Sequence, residues 1–379
     1  MDLERLGGRI GPAPEDFVVD EVPLYDFTGN GQHCFVRLWK RGVATPEALR
    51  VVARAAGVAE RQIGYAGLKD KHAVTSQWIS LLECEARPPA SWQLPEEIRV
   101  LEVTRHDNKL RTGHLYGNHF RIHVTGVDTA ALPRAELLAE QLRERGFPNY
   151  FGAQRFGRRG DNLQAALRWL RGGAKGRLSR FLLKLYPSVV QAEVFNRYVF
   201  ERSRLGFDRL LDGECVRLAG STRHFIVEDA ARELPRLLSR DVCLTGPIIG
   251  PKALAAVGEA RELEQRVMQS LELDDAVLRT LGRFAPGSRR DVIVYPEELT
   301  VEPHPEGGLT LQFTLPAGAY ATQLVREFTA APYGNERLEL NERDGGREPS
   351  AQHANRAQPE IREVESRADE RADPEAANS

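Results

Sequence analysis

The chain has 379 residues, of which 41% are hydrophobic and 28% are charged, and its formal net charge is −2 at pH 7. This length and composition predict a globular protein of two or three domains with at least one full hydrophobic core. The N-terminal stretch MDLERLGGRI lacks the apolar segment of a signal peptide, and no run of about 18 apolar residues suits a membrane helix. These features argue against secreted and membrane-spanning proteins, and we expect a cytoplasmic protein.

The four cysteines stand far apart and form no C-x-x-C pair; they are Cys34, Cys84, Cys215 and Cys243. This spacing favours neither a zinc site nor a disulfide framework. We therefore expect reduced thiols that are mostly buried.

The first half of the chain alternates strand and helix patterns. The segments DFVVDEV and HCFVRLWK, which begin at Asp16 and His33, have the apolar pattern of strands. Thr45 is predicted to cap a helix with Pro46 in its first turn, and Gly57 is predicted to end that helix. Further strands are predicted in RQIGYAG, SQWISLLE, IRVLEVTRH and GNHFRIHVTGV, followed by a helix over residues 133–146.

The second half begins with longer helical patterns. Helices are predicted over residues 161–171, about 178–204 and about 252–271, with short strands near CVRLAG and RHFIVED. Strand patterns return in RRDVIVYP, LTVEPH and LTLQFTLP, the last two as a hairpin, before a final helix at about 318–328. The economical arrangement is an α+β (mixed α/β) fold in which a discontinuous domain carries a mainly helical insert.

Basic residues are concentrated near the junction of the two halves. Residues 141–190 contain 11 Lys and Arg residues but only two acidic ones, and aromatic residues are interleaved with them. This composition is typical of a surface that binds a polyanion, although a solvated helix face has the same charge. Residues 331–379 hold 12 acidic and 7 basic side chains and a single aromatic residue, so we expect a disordered acidic tail there.

The stretch GYAGLKDKHAVTSQW, residues 64–78, places Asp70 between Lys69 and Lys71. A cation within about 4–6 Å favours the ionised form of a carboxylate, which is the form that a nucleophile requires. Gly64 and Gly67 lie on either side of a strand end, where backbone can approach a ligand closely. By spacing alone, solvated loop charge is the commoner interpretation.

Four stretches, in order, resemble the tRNA pseudouridine synthase D (TruD) family. They are PEDFVVDE (14–21), GYAGLKDKHAVTSQW (64–78), PNYFGAQRFG (148–157) and FTLPAGAYATQLVRE (313–327). The resemblance implies a pseudouridine synthase catalytic domain with an antiparallel sheet and an inserted TRUD domain. The implied boundaries are 1–172 and 304–330 for the catalytic domain, 173–303 for the insert and 331–379 for the tail.

The resemblance also implies the reaction, which is the isomerisation of uridine to pseudouridine in tRNA, at uridine 13. It makes Asp70 the nucleophile that attacks a flipped-out nucleotide, either at C6 of the base or at C1′ of the ribose, and both routes stay open. No metal or cofactor is implied. We expect a monomer whose partner is tRNA, with no membrane association.

Several residues are implied to bind the RNA. Phe151 occupies the stacking position of the second motif, although an ordinary core phenylalanine would fit the pattern too, and Asn149 would bond the base or organise the Asp70 loop. Basic side chains near these residues are expected to follow RNA phosphates. They are Arg155, Arg158, Arg159, Arg168, Arg171, Lys175, Arg177, Arg180 and Lys184.

One residue departs from the family pattern. The family usually carries a cation three residues before the proline of PEDF, where it is expected to pair with the catalytic aspartate, but this chain has Gly11 there. Arg9, Lys69 and Arg155 are the candidates for a substitute. The identity of the cation beside Asp70 is therefore open.

Two other functions fit the same motifs. A noncatalytic RNA-binding protein or tRNA-folding chaperone would keep the fold without turnover, and Gly11 is the feature that favours it. An N-glycosidase would use Asp70 with water and release free uracil.

His119 and His123 share a strand face, for which a polar strand face is a simpler interpretation than a metal site.

Overall fold

The structure is a computed structural model that describes residues 4–82, 87–157, 160–173 and 178–329. The predictions for Cys84, Arg158, Arg159, Lys175, Arg177 and the acidic tail fall outside these residues. The strands are β1 (Arg9–Ile10), β2 (Phe17–Pro23), β3 (His33–Arg41), β4 (Gly64–Tyr65), β5 (Val74–Leu82), β6 (Ile98–His106), β7 (Leu115–Thr125), β8 (Phe147–Pro148), β9 (Cys215–Leu218), β10 (His224–Ile226), β11 (Val242–Ile248), β12 (Ser288–Asp291), β13 (Ile293–Val294), β14 (Glu297–Pro303) and β15 (Leu309–Pro316). The helices are α1 (Thr45–Ala56), α2 (Leu132–Arg145), α3 (Asn162–Leu170), α4 (Arg180–Ser203), α5 (Ala230–Leu238), α6 (Gly258–Ser270), α7 (Asp275–Gly282) and α8 (Ala321–Thr329).

The largest sheet has nine strands within the described residues. Seven of them run in the order β14-β15-β7-β2-β5-β3-β6, while β1 pairs with β7 and β4 pairs with β5. Every pairing is antiparallel except that of β2 with β5. The predicted β14–β15 hairpin is confirmed, and it brings the end of the described chain beside β7.

One face of this sheet is covered by helices. Val19, Phe120 and Phe313 are paired in register across β2, β7 and β15, and alternate residues along each strand share their face. Apolar residues of α2 and α8 pack on this face over β7 and β15, and apolar residues of α1 pack over β3 and β5. The middle of the face, over β2 and β5, lies between these two groups of helices.

A second core is built mainly from helices. It joins apolar residues of α3, α4, α6 and α7 with a four-stranded sheet in the order β10-β9-β11-β12. The two-residue strand β8 pairs with β13 and links the two regions. The predicted mixed α/β class is confirmed. Helix α3 packs in this second core and β14 pairs in the large sheet, whereas the predicted boundaries place α3 in the catalytic domain and β14 in the insert. The domain boundaries therefore stay a prediction.

Several elements and one cap differ from the sequence predictions, and the two-residue strands β1 and β8 are among them. Helices α5 and α7 and strand β11 were not predicted; Pro235 lies inside α5 and Pro247 inside β11, and proline ordinarily signals the end of an element. The prediction that Thr45 caps α1 is wrong, because Ala44 is the N-cap residue. The Thr45 hydroxyl is instead used in hydrogen bonds to the loop before β5.

No helix among the described residues is long and apolar enough to cross a membrane. Cys215 and Cys243 are free thiols, whereas Cys34 is disulfide-bonded. The prediction of reduced thiols is therefore wrong for Cys34, because cysteine spacing along a sequence does not report which side chains folding brings together.

Candidate active site

The segment 66–73, called here the Asp70 loop, connects β4 to β5 and is fixed by side chains from beneath. The Thr45 hydroxyl accepts a hydrogen bond from the Lys69 backbone N–H (2.9 Å) and donates one to Gln77 Oε1 (2.9 Å). The Gln77 amide donates to the Gly67 carbonyl at 3.3 Å. Thr45 and Gln77 are both buried, so the backbone on the N-terminal side of Asp70 is held by groups that have little freedom to move.

Lys40 lies directly under Asp70. The Lys40 side chain reaches from the end of β3, and its ammonium donates to the backbone carbonyls of Asp70 (2.8 Å) and Val43 (2.7 Å). Lys40 is 0% exposed. Burial lowers the pKa of this ammonium to about 8, although the negative charge of Asp70 opposes that shift. The Asp70 side chain itself is exposed.

Lys69 forms an ion pair with Glu21 rather than standing free beside Asp70. The Lys69 ammonium lies 2.5 Å from Glu21 Oε2, and both side chains are almost fully buried. The backbone N–H of Trp78 donates to the other oxygen of Glu21 at 3.1 Å. The ion pair links the Asp70 loop to β2, and the bond from Trp78 links Glu21 to β5. Both charged groups therefore have partners inside the fold.

Arg9 is another candidate for the cation that the family pattern places at position 11. Arg9 is an exposed residue of β1, where it pairs with Thr125. At Gly11 itself, a Cβ atom would lie 2.2–2.8 Å from the carboxylate of Asp16. A longer side chain at this position would displace Asp16, so a lysine has no room there in the present arrangement.

The expected role of Gly64 is also different. A Cβ atom at Gly64 would lie 2.3 Å from the Leu110 carbonyl oxygen and 2.5 Å from Ser80 Oγ. The close approach at this glycine is therefore to the chain itself and not to a ligand. Gly67 has more room, because its nearest neighbour would be Lys69 Nζ at 3.8 Å.

Phe151, Asn149, Arg155 and Arg290, called here the Phe151 cluster, lie together. The guanidinium carbon of Arg290 is 4.3 Å from the centre of the Phe151 ring, and that of Arg155 is 5.4 Å from it. Arg290 also donates to Asn149 Oδ1 at 2.6 Å and to the Gly318 carbonyl at 3.0 Å. The Phe151 ring is 9% exposed and lines a cavity of about 320 Å³ together with both arginines.

Asn196 holds the backbone of Phe151, and Tyr320 contacts its ring. The Asn196 side chain accepts from Phe151 N–H (2.8 Å) and donates to the Phe151 carbonyl (3.0 Å). Tyr320, which immediately precedes α8, makes an edge contact with the Phe151 ring at 6.1 Å between centroids. The cluster is thus anchored to α4 and borders the start of α8.

The Asp70 loop and the Phe151 cluster border the same face of the large sheet. Glu21, the partner of Lys69, is paired with Asn118, which is paired with Leu315. Two strand spacings, roughly 10 Å, separate Glu21 from Leu315. The chain continues from Leu315 to Gly318, whose carbonyl is bonded by Arg290. Asp70 lines neither this cavity nor the second one, which is on the opposite face beside Asp20 and Trp78.

The remaining predicted RNA-binding residues lie on α3, α4 and their connection. Arg168, Arg171, Arg180 and Lys184 are all exposed. Arg171 is also engaged within the protein, since its guanidinium lies 2.9 Å from a Glu272 carboxylate oxygen. The other three keep their charge on the surface.

His123 and His304 are engaged with other side chains of the protein. His123 Nδ1 lies 2.7 Å from Asp16 Oδ1, and its ring stacks on that of His304 with centroids 3.5 Å apart. Among the described residues, no group of three or more His, Cys, Asp or Glu side chains has the arrangement of a metal site. The position of His123 explains why Asp16 occupies the space in front of Gly11.

Lys40, Glu21, Thr45 and Arg290 are functional candidates that sequence reasoning missed. Lys40 is 30 residues from Asp70, and Arg290 is 141 residues from Asn149. A sequence signal existed for Lys40, because a lysine at the end of the apolar strand HCFVRLWK has to find a partner if that strand is buried. Arg289 and Arg290 are adjacent in the segment RRD, and nothing in the sequence distinguishes the two.

The chain resembles one family along its described length. The family model for tRNA pseudouridine synthase D (TruD) matches residues 1–172 and 170–328. A tRNA pseudouridine synthase D of Anaeromyxobacter sp. (strain Fw109-5) is 41% identical over 337 residues, covering 87% of this chain and 95% of that protein. The protein of the same name from Thermus thermophilus is 39% identical over 328 residues, covering 86% and 90%.

A solved structure has the same fold. The crystal structure described as a tRNA pseudouridine synthase D (TruD) from Methanosarcina mazei matches with a TM-score of 0.69, covering 86% of this chain and 94% of that one. Its sequence identity is 23%, so this likeness bears on the fold alone.

Proposed function

The chain belongs to the tRNA pseudouridine synthase D (TruD) family, an isomerase family that converts uridine to pseudouridine in tRNA, and we propose that Asp70 is the nucleophile of that reaction and uridine 13 its target. The observation that carries the proposal is the fixation of Asp70. Its backbone is bonded by a buried ammonium, its neighbour Lys69 is locked to Glu21, and its own carboxylate is left exposed.

This arrangement suits covalent catalysis. A nucleophile needs a fixed position and an ionised group that is free to reach the substrate. Lys40 supplies a positive charge beneath Asp70 in a chain that has Gly11 at the family's usual cation position. The two carbonyl bonds of Lys40 keep the ammonium from moving away.

The reaction conserves every atom of the nucleotide. An Asp70 oxygen forms a bond to C6 of the base or to C1′ of the ribose, and the N1–C1′ glycosidic bond breaks. The uracil ring rotates within the site, and C5 bonds to C1′ while the bond to Asp70 is released. C5 loses a proton and N1 gains one, so the product is an isomer and no oxidant or reductant is consumed.

The Phe151 cluster is proposed to hold the substrate nucleotide. Chemistry on a base requires that the nucleotide leave its stack, and aromatic and cationic side chains beside the reactive group stabilise the flipped state. Asn149 and Arg155 would contact the nucleotide, with Phe151 as the apolar floor. Arg9, Arg168 and the other exposed cations are proposed to follow phosphates further along the tRNA, as are the predicted cations outside the described residues.

The proposal is tested by mapping modified nucleotides. Unmodified tRNA is incubated with the wild-type protein and with Asp70→Asn, and pseudouridine is located along the RNA by its chemistry. We expect pseudouridine at position 13 with the wild-type protein and none with the variant. Pseudouridine at other positions alone would refute the assignment of uridine 13, and full modification by the variant would refute the role of Asp70.

The same incubation separates the alternative functions. A noncatalytic RNA-binding protein would bind the tRNA and leave every uridine unchanged. An N-glycosidase would release free uracil, which is measured in the filtrate after the RNA is removed. The proposed isomerase releases none, because the base stays in the site between bond cleavage and bond formation.

A further inference from the structure

Two half-buried arginines in the Phe151 cluster form no ion pair with a carboxylate of the described residues. The Nε atoms of Arg155 and Arg290 are buried and have no hydrogen-bond acceptor within the described residues. Neither arginine forms an ion pair within the described part of the chain. Asp291, the acidic residue next in sequence to Arg290, is engaged by Arg217 at 2.6 Å.

A third arginine in the same cavity shows the contrast. Arg289 pairs with Glu264 at 2.6 Å and also donates to the Thr245 carbonyl and hydroxyl. Its charge is therefore neutralised inside the protein. Ser188 and Ser288 also line the cavity, and neither adds a charge that would neutralise the other two arginines.

Burying a cation without a counter-ion is unfavourable, because the lost hydration is not replaced. Burial lowers the pKa of Arg290 to about 10, and the nearby charge of Arg155 adds to this shift, although Tyr320 and Asp291 oppose it. An anion placed between the two guanidinium groups would offset that cost. The fold thus keeps a site whose electrostatic balance is completed by a ligand.

We propose that Arg155 and Arg290 bind one phosphate of the RNA backbone next to the target uridine. The inference rests on the proposed function, since it takes RNA as the substrate. Phosphate is the anion that RNA carries, and guanidinium groups bind it with charge-assisted, often paired hydrogen bonds. Glu21, the partner of Lys69, lies roughly 10 Å across the sheet from Leu315, and Arg290 bonds the Gly318 carbonyl three residues beyond Leu315, so the site borders the same side of the sheet as the Asp70 loop.

The proposed phosphate site also accounts for the arginine that lies over the Phe151 ring. The Arg290 guanidinium lies over the ring at 4.3 Å, so the phenylalanine orients the cation while its other contacts fix the ring. Arg290 in turn holds Asn149 through its side-chain oxygen. A bound phosphate and the residue that would contact the base are thereby connected through one guanidinium group.

Ser288 allows a test that leaves the arginines in place. Ser288 is exposed at the edge of the cavity. Ser288→Asp adds a negative charge there, and Ser288→Asn adds the same volume without charge. The matched control is Gln164→Glu, which adds one negative charge on the exposed face of α3, within the Lys- and Arg-rich segment 141–190.

We expect Ser288→Asp to raise the Kd for tRNA about tenfold at low salt, because the phosphate is repelled from its site. Ser288→Asn and Gln164→Glu are expected to change Kd by less than about threefold. Thermal unfolding of each variant shows whether it is folded. Equal Kd values for Ser288→Asp and Ser288→Asn would overturn the proposal.

A second measurement changes the RNA and keeps both arginines in place. RNA substrates that carry a neutral methylphosphonate at either phosphate flanking the target uridine are bound to the wild-type protein and to Ser288→Asp. One of the two neutral linkages is expected to weaken wild-type binding about tenfold and to have much less effect on Ser288→Asp, since both changes remove the same contact. Fully additive effects at both linkages would overturn the proposal.

Two further arms separate the possible failures. A site for free phosphate would show competition by inorganic phosphate at constant ionic strength, with no effect of the methylphosphonates, and would also overturn the proposal. Pseudouridine formation by the wild-type protein on unmodified tRNA is measured in parallel. If no pseudouridine forms, the proposed function fails; if it forms while the effects are additive, only the phosphate site fails.

Discussion

The Asp70 loop with its supporting residues and the Phe151 cluster both hold cations that are at least partly buried, but they differ in how those cations are satisfied. Lys40 donates to two carbonyl groups and Lys69 is paired with Glu21, so the loop is complete without substrate. Arg155 and Arg290 keep buried donors without acceptors. The first region is organised to hold a reactive group still, and the second to receive a ligand.

This difference has an energetic consequence. Changes in the Asp70 loop break interactions that exist in the free protein, so they affect folding stability and turnover. Changes that cancel the unpaired positive charge of the Phe151 cluster are expected to act mainly on RNA binding and its salt dependence, because the buried Nε donors there have no acceptor in the described part of the free protein. The predictions below test this division, beginning with the largest effect.

Removing the charge of Glu21 should give the largest loss of stability. Glu21→Gln leaves the Lys69 ammonium buried without a counter-charge, which is expected to lower the free energy of unfolding by about 3–5 kcal/mol. Urea denaturation measures the effect. The matched control is Asp20→Asn on the opposite face of the same strand, where the carboxylate is 39% exposed and paired with Arg37 at 3.6 Å; a loss of about 1 kcal/mol or less is expected. Equal losses would contradict the assignment.

Lys40 should affect turnover more than binding. Lys40→Met removes the charge and the donor under Asp70 but keeps the length of the side chain. We expect kcat to fall roughly 10- to 100-fold, the worth of a hydrogen bond from a charged group, with KM changed less than about threefold. Lys71→Met is the control, since Lys71 is exposed beside Asp70. A larger kcat loss in Lys71→Met would show that the wrong lysine has been assigned.

The pH dependence sharpens the same point. Because the pKa of Lys40 is lowered to about 8, the ammonium loses its proton as the pH rises through 8, and the charge beneath Asp70 is lost. Turnover is therefore expected to decline above pH 8. The contribution of Lys40 to stability has the opposite sign, since a lysine pKa below the unfolded value of about 10.4 makes the folded state more stable as the pH rises from 8 to 10.4. An unchanged decline of kcat in Lys40→Met would rule out this origin.

The exposed cations should give the smallest effects. Arg168→Gln is expected to raise the Kd for tRNA less than about threefold and to lower the slope of log K against log salt by about 0.9, as for one lost phosphate contact. Binding titrations at several salt concentrations measure both. A loss of kcat at saturating tRNA would place Arg168 in the site and not on the surface.

Much of the fold was predictable because its strands have strong local patterns. Strands β2, β3, β6 and β7 and helix α2 lie where apolar spacing and glycine placed them. The cap of α1 was not predicted correctly. The prediction assumed that a threonine before a proline bonds the backbone of its own helix, whereas the Thr45 hydroxyl bonds the Asp70 loop, 24 residues away. A local rule failed where the side chain serves a distant segment.

The site was predictable in part for the same reason. Asp70, Asn149, Phe151 and Arg155 stand in recognisable motifs, but their partners come from other elements. Lys40 reaches Asp70 only because β3 and β5 pair in a register that aligns Lys40 with Thr75. The register in which strands pair cannot be read from the sequence, so the sequence did not identify the cation beside Asp70.

The most direct test of the account is single-turnover isomerisation by the Asp70→Asn variant, measured together with its Kd for tRNA. The amide keeps the size of the side chain but is a poor nucleophile, so we predict a rate at least about 10⁴-fold below that of the wild-type protein. The Kd should stay within about threefold, because the Phe151 cluster and the exposed cations are unchanged. A folded variant that isomerises uridine within tenfold of the wild-type rate would contradict the assignment of Asp70 as the nucleophile.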